Sequence, residues 1–265
     1  MHFLNLVVVG ALFPSLAPPS PSRLLSQVAE LILRARLREC GGCDIDVSAD
    51  PASLLAGGVT GVRVRGTRWC TPMKLSCQAL DVRVGATAID IGALARQRIL
   101  LRKPAEGDAT IRFTARDWDD FLLHPQMKAA IATRRGTSAA IVSPMVAFNE
   151  SGGTQFELSG SVVVFPVRFD GVELNARLSQ QADGTVECIA QPAPSRDVVA
   201  ADAATAAAAG PWLAQLFAQL VIDLDGCALT FESLRVERRA AASRPELVLQ
   251  LAVCVRSFPS LEINF

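Results

Sequence analysis

Apolar and polar residues change their spacing several times along this chain, and each change marks an element. After Ser22, a residue type that caps helices, Leu24, Leu25, Val28, Leu31, Ile32 and Ala35 recur at helical spacing. Arg34, Arg36 and Arg38 gather at the end of the segment, where cations complement a helix dipole. The pattern predicts an amphipathic helix over 22–39, stopped by Gly41-Gly42. The period then drops to two. Asp44-Ile45-Asp46-Val47, Val62-Arg63-Val64-Arg65 and Leu80 to Val84 alternate, and Ile111 and Phe113 continue the theme. Such alternation predicts half-buried antiparallel strands. Residues 51–56 and 91–98 read as single helical turns between them.

From Thr114 the helical period returns. Thr114 can cap, and Asp117, three residues on, can complete a capping box. Trp118, Phe121 and Leu122 fall on one face, and Pro125 opens a further helix to about Arg134. Strands are predicted at 139–148, 154–169, 171–180 and 184–190, with Asp183-Gly184 as a hairpin signal. Residues 200–209 are Ala-rich. Pro211 is then read as opening a helix with Trp212, Leu213, Leu216, Phe217 and Leu220 on one stripe. Two last strands follow at 226–238 and 246–256. The final one is apolar on both faces, which puts neither face in water: one is core, the other a ligand cavity or the seat of a covering helix.

Strands without regular helix alternation exclude a doubly wound parallel sheet. The predicted class is α+β, with a long, curved antiparallel sheet wrapped around apolar helices. Residues 1–21 read as a targeting segment and linker, and 22–265 as a single domain. The run Phe3 to Phe13 has the length of a signal-peptide core, Ser15-Leu16-Ala17 resembles a cleavage site, and residues 14–22 form a Pro/Ser linker. Its removal would start the mature protein near Ser20 and place it outside the cytosol.

Composition narrows the function classes. Of the 265 residues 50% are hydrophobic and 20% charged, which excludes a disordered chain. Lys+Arg and Asp+Glu are 26 each, so no overall field attracts nucleic acid, and none is expected as a partner. Two histidines argue against His-rich metal sites, and neither a metal nor another cofactor is expected. The 7 cysteines cannot all pair within one chain. Cys40-Gly-Gly-Cys43 lacks the second pair of a zinc site, and its helix-then-strand setting is the reverse of a redox motif.

Catalytic constellations are sparse. No G-x-S-x-G elbow and no phosphate loop occurs. His124 lies four residues after Asp120, so that an acid could orient an imidazole, but no nucleophile accompanies them. Asp117, Asp119 and Asp120 have no EF-hand spacing. The positive signal is apolar excess: helices with bulky stripes beside strands apolar on both faces suit an acyl-chain cavity, and suit a packed core equally.

Five motifs in order add a resemblance. They are Leu54 to Gly58, Gly61 to Gly66, Leu80 to Gly85, Ile89 to Leu94 and Thr114 to Leu122. Together they resemble the LmeA-like phospholipid-binding family, with mycobacterial, cyanobacterial and plastid members. The resemblance implies a cup-like or tubular lipid-binding fold and non-enzymatic binding or transfer of phospholipid, with phospholipid or a membrane surface as partner. It implies that the first helix and the helix after 211 line or plug an apolar interior. The candidate lining is then Leu24, Leu25, Val28, Leu31 and Ile32, with Trp118, Phe121 and Leu122, and with Trp212, Leu213, Leu216, Phe217 and Leu220. The family's distribution favours the chloroplast, with a secreted or endomembrane lumen as the alternative. A scaffold of the same fold without a cavity, and a hydrolase or thiol redox enzyme, remain the competing classes.

Overall fold

The computed structural model describes residues 21–50, 52–53, 56–88, 90, 100–137, 144–193, 200–224, 226–240 and 243–257. The elements run α1 (Pro21–Arg36), β1 (Glu39–Ser48), β2 (Gly58–Val59), β3 (Gly61–Cys70), β4 (Ser76–Val84), β5 (Thr87–Ala88) and β6 (Leu100–Phe113). Then come α2 (Ala115–Leu123), α3 (Pro125–Thr137), β7 (Val146–Phe148), β8 (Gln155–Glu157), β9 (Val162–Phe169), β10 (Val172–Gln180) and β11 (Val186–Pro192). The chain closes with α4 (Ala200–Ala218), β12 (Val221–Leu224), β13 (Cys227–Glu237) and β14 (Glu246–Ser257). A seven-stranded sheet has the order β1-β3-β4-β6-β14-β13-β12. A five-stranded one has β11-β10-β9-β7, with β8 also on β9, and β2 pairs β5. The fold is α+β around a large, open antiparallel sheet, as the alternating patterns predict. Residues 1–20 of the expected targeting segment and the expected turns at 91–98 lie outside the described residues.

Register explains the two faces of the large sheet. Ile45 pairs Val64, which pairs Val82, then Ala109, then Leu251, then Phe231. Because strand side chains alternate, every second residue of each strand joins one apolar face that crosses the sheet. The opposite face carries charges in matched pairs. Arg63 donates twice to Asp81, at 3.0 and 2.6 Å, and Arg65 meets Asp44 at 3.1 Å. Arg112 reaches Glu237 at 3.1 Å. The Arg63 guanidinium holds the Asp81 carboxyl below its usual range. On this face Val248 is fully buried, flanked in register by Arg112 and Arg235, whose stems shield it.

The first helix is shorter than its periodicity predicts. It ends at Arg36, and Gly41-Gly42 lies inside β1 instead of stopping a helix. The reason is crowding from β3: a Cβ on Gly41 would meet the Arg68 side chain, and one on Gly42 the Thr67 hydroxyl at 2.8 Å. The inward face of α1 also differs from the predicted stripe. Ala29, Leu33 and Leu37 pack over Cys43, Ile45 and Trp69, while Leu31 is 70% exposed. Two bonds to the free edge of β1 set this rotation. Val47 N–H donates to Ser26 Oγ at 2.9 Å, and Arg34 donates to the Cys43 carbonyl at 3.1 Å. The helix thus satisfies an edge strand that would otherwise be open to another chain.

Trp69 reaches the apolar face through a break in alternation. Arg68 has φ 50°, which reverses the parity of β3 and lays the indole over Gly66, where any Cβ would overlap the ring. Its Nε1–H donates to the Gly42 carbonyl at 2.8 Å.

The main core lies at the other end of the sheet. Thr114 and Asp117 form the predicted capping box, and α2 presents Trp118 and Phe121 to Phe113 and Phe217. The second sheet contributes Val163, Phe165 and Val167 from β9 and Leu174, Ala176 and Leu178 from β10, all at 2% exposure or less. Pro211 sits within α4 and does not open it, so the Ala-rich segment and the Trp212 stripe form one helix. Its small residues allow close approach to β11: a Cβ on Gly210 would meet the Cys188 carbonyl at 2.6 Å. The predicted strand 154–169 is split by a turn around Gly160, and β12 has no counterpart among the predicted strands. Besides the shared core, the Gln180 amide links the sheets. Gln180 accepts from Leu234 N–H at 2.9 Å and donates to the Glu232 carbonyl at 3.1 Å, beside the bulge of β13.

The Trp69 seat gives a stability prediction. Gly66→Ala is expected to cost about 1–3 kcal/mol through overpacking. Combined with Trp69→Leu the added methyl is expected to cost much less, a non-additivity that urea unfolding of the four proteins measures.

Candidate functional site

The apolar face of the large sheet is covered unevenly. At the β1 end, Cys43, Ile45 and Trp69 are buried under α1. At the β14 end, Leu247, Leu249, Leu251 and Val253 are buried in the main core. Between them Val62 and Val64 of β3, Leu80, Val82 and Val84 of β4, and Ile111 of β6 are only half-buried. These residues are continuous in register. They form the floor of an apolar trough, with α1 as one wall and the main core as the other. From strand spacing and rise, the floor is about 10 Å wide and about 13 Å along the strands. Gly107 lies in it, opposite Val84 and Val253. Trp69 and Cys77 occupy the end nearest the β3–β4 turn, and burial pushes the Cys77 thiol up to about 12.

The predicted lining residues are distributed differently. Trp118, Phe121, Leu122, Leu213, Leu216, Phe217 and Leu220 are packed against one another and against both sheets, each at 5% exposure or less. Trp212 is half-buried, edge-on to Phe169, with the Arg134 guanidinium 5.5 Å from its ring centre. Leu31 faces outward. Leu24, Leu25, Val28 and Ile32 lie on α1, and their side chains fall outside the described residues. The trough itself is built from the valines of the alternating strands. The signal for it was the Val-Arg-Val-Arg pattern, which shows that a face is apolar but not that it is half covered.

Two larger clefts lie elsewhere. A broad depression of 650 Å³ is lined by Gln181, Asp183, Glu187 and Pro211 among others, and one of 310 Å³ by Asn149, Glu150, Arg168 and Glu173 among others. Neither includes a residue of the seven-stranded sheet, and each mixes apolar residues with charged ones, Asp183 and Glu187 in the first and Glu150, Arg168 and Glu173 in the second.

The groups that could carry chemistry are held in structural roles. The His124 ring is buried at the end of α2, and its Nδ1 accepts from Gln126 N–H at 3.3 Å. Among the described residues no hydrogen bond or ion pair links it to Asp120, whose carboxyl burial pushes upward. Asp117 binds Ser76 and Thr114. Asp119 accepts from the Thr154 hydroxyl and from the backbone of Gly153 and Thr154. Cys40 and Cys43 share one strand as free thiols, and burial pushes Cys43 up, away from a reactive thiolate. Among the described residues no cluster of three or more His, Cys, Asp or Glu could hold a metal, and no helix is long and apolar enough to cross a membrane.

Burial lowers the His124 pKa below its ordinary value of 6.5. The folded state therefore disfavours the imidazolium, so this contribution to stability is complete above the unfolded pKa and is lost as pH falls below it. His124→Asn keeps an acceptor for Gln126 N–H and removes the titration. Urea midpoints between about pH 7 and pH 5 are expected to fall more steeply for the wild type than for the variant.

A family model for LmeA-like phospholipid-binding proteins matches residues 22–244. No curated protein and no solved structure matches the chain. The match begins at the helix that walls the trough and runs through the second sheet and β13 to the end of the β13–β14 connection, just short of β14. On the strength of that span, the chain belongs to the LmeA-like phospholipid-binding family.

Proposed function

We propose that the protein holds phospholipid non-covalently, with acyl chains lying on the trough floor between α1 and the main core. The observation that carries this reading is the gradient across one apolar face: buried at both ends, half-buried along Val62, Val64, Leu80, Val82 and Val84. A sheet designed only as a scaffold gains most by closing such a face, since each buried CH₂ contributes about 0.8 kcal/mol. An acyl chain supplies the same gain from outside. Binding of this kind needs no catalytic group, and the family is described by phospholipid binding. The trough's open side lets a lipid enter and leave, which suits a carrier. The apolar run at 3–13 and the Pro/Ser linker support a working place outside the cytosol, in the chloroplast ahead of a secretory lumen.

Native mass spectrometry with lipid extraction is the direct test. The full chain is expected to carry phospholipid, or to take it up from liposomes. Val64→Phe and Val82→Phe fill the floor with apolar volume. Each is expected to weaken uptake by displacing methylenes worth about 0.8 kcal/mol apiece, while the melting temperature stays close to that of the wild type. A chain that purifies without lipid and takes none from liposomes would falsify the reading and favour a closed scaffold.

A further inference from the structure

The turn that joins β3 to β4 carries features that the trough does not use. Thr71 closes it tightly: Lys74 N–H donates to the Thr71 carbonyl at 2.9 Å, and Leu75 N–H to the Thr71 hydroxyl at 3.0 Å. At its tip Met73 is 57% exposed, beside the exposed Pro72 and Lys74. The end of α1 is fastened to the same place, through Arg38 N–H donating to the Cys70 carbonyl at 2.8 Å. Lys74 thus adjoins a protruding apolar side chain at the tip, while Arg38 and Arg68 lie at the base of the same hairpin, Arg68 across Gly41.

These cations differ from the others on the same hairpin. Further along β3 and β4, Arg63, Arg65 and Arg83 each lie on a carboxylate of the sheet's polar face. Among the described residues no ion pair engages Arg38, Arg68 or Lys74, and all three are exposed. Glu39, Asp117 and Asp120 are the nearby acids; Asp117 is held by Ser76 and Thr114, and among the described residues no ion pair joins Asp120 to Lys74. Arg68 and Lys74 also hold positive φ, at 50° and 66°, where glycine or asparagine is the unstrained choice. The Arg68 conformation seats Trp69, whereas Lys74, exposed and at the tip, keeps a cation where glycine or asparagine would be unstrained, which points to a use outside the chain.

We propose that the β3–β4 turn, with Met73 and Lys74 at its tip and Arg38 and Arg68 at its base, docks the protein onto an anionic phospholipid surface. The cations meet headgroup phosphates and Met73 enters the interface. The inference rests on the trough reading, because docking at this turn brings the Trp69 end of the trough to the bilayer. Charge sets the occupant: an exposed lysine beside an exposed apolar residue, with two further exposed cations behind them, complements an anionic interface, whose field adds to hydrophobic insertion.

The test uses the full chain and its Arg68→Asn/Lys74→Asn variant. Asparagine accepts positive φ, so the variant is expected to melt no lower than the wild type while lacking both charges. Co-sedimentation is measured with vesicles of phosphatidylcholine alone and of phosphatidylcholine mixed with phosphatidylglycerol. At about fivefold for each cation, the variant is expected to bind the mixed vesicles about 25-fold more weakly. Its binding to phosphatidylcholine vesicles and its uptake of a monomeric short-chain phospholipid are expected to be unchanged. Met73→Ser is expected to weaken binding to both vesicle types. Equal binding of wild type and charge variant to the mixed vesicles overturns the docking surface. Wild type that takes up no monomeric lipid, yet sediments with mixed vesicles in a charge-dependent way, overturns the trough and leaves the docking surface standing.

Discussion

Burial of a single apolar face governs how this molecule is built. Register carries that face from Ile45 on β1 to Phe231 on β13, a width that no single helix covers. The chain meets the demand with two unlike covers. One is α1, folded back over the strand that follows it. The other is a body of α2, α4 and the second sheet, packed on β6, β13 and β14. Among the described residues the least-buried part of the face lies at its middle, over β3 and β4. The trough is thus the remainder of the packing problem rather than an element added to the fold.

The ionic pairs on the opposite face serve the same constraint from the other side. A strand apolar on one face must be wettable on the other, and the Arg63–Asp81 and Arg112–Glu237 pairs let neighbouring strands carry charge without repulsion. These pairs are partly exposed, and their worth lies in fixing which face turns inward more than in stability.

Much of this was legible in the residue pattern. The capping box at Thr114 and Asp117 was readable because both partners lie within four residues. The Val-Arg and Leu-Asp alternations identified the strands and their polar faces. What failed depended on contacts between distant segments. Gly41-Gly42 resembled a helix stop, but its role is set by Thr67, Arg68 and Trp69 across the strand pair. The rotation of α1 follows from Ser26 and Arg34 finding the edge of β1, which the apolar spacing of the helix does not encode. Large aromatic stripes marked the core faithfully and the trough not at all. Half-burial is a property of what lies opposite a residue, and valines at alternate positions read the same whether they are covered or not.

The amide of Gln180 carries a consequence beyond joining two sheets. Beyond the end of β12, no strand among the described residues lies beside the outer edge of β13, and its backbone groups at 232 and 234 are those that another chain could template upon. One side chain, offering an acceptor to Leu234 and a donor to Glu232, occupies both groups at once. Since the side chain comes from the last residue of β10, that edge is closed only when the second sheet has folded into place. Protection against self-association at that edge therefore depends on the docking of the two sheets, and on a residue that no measure of core packing would single out.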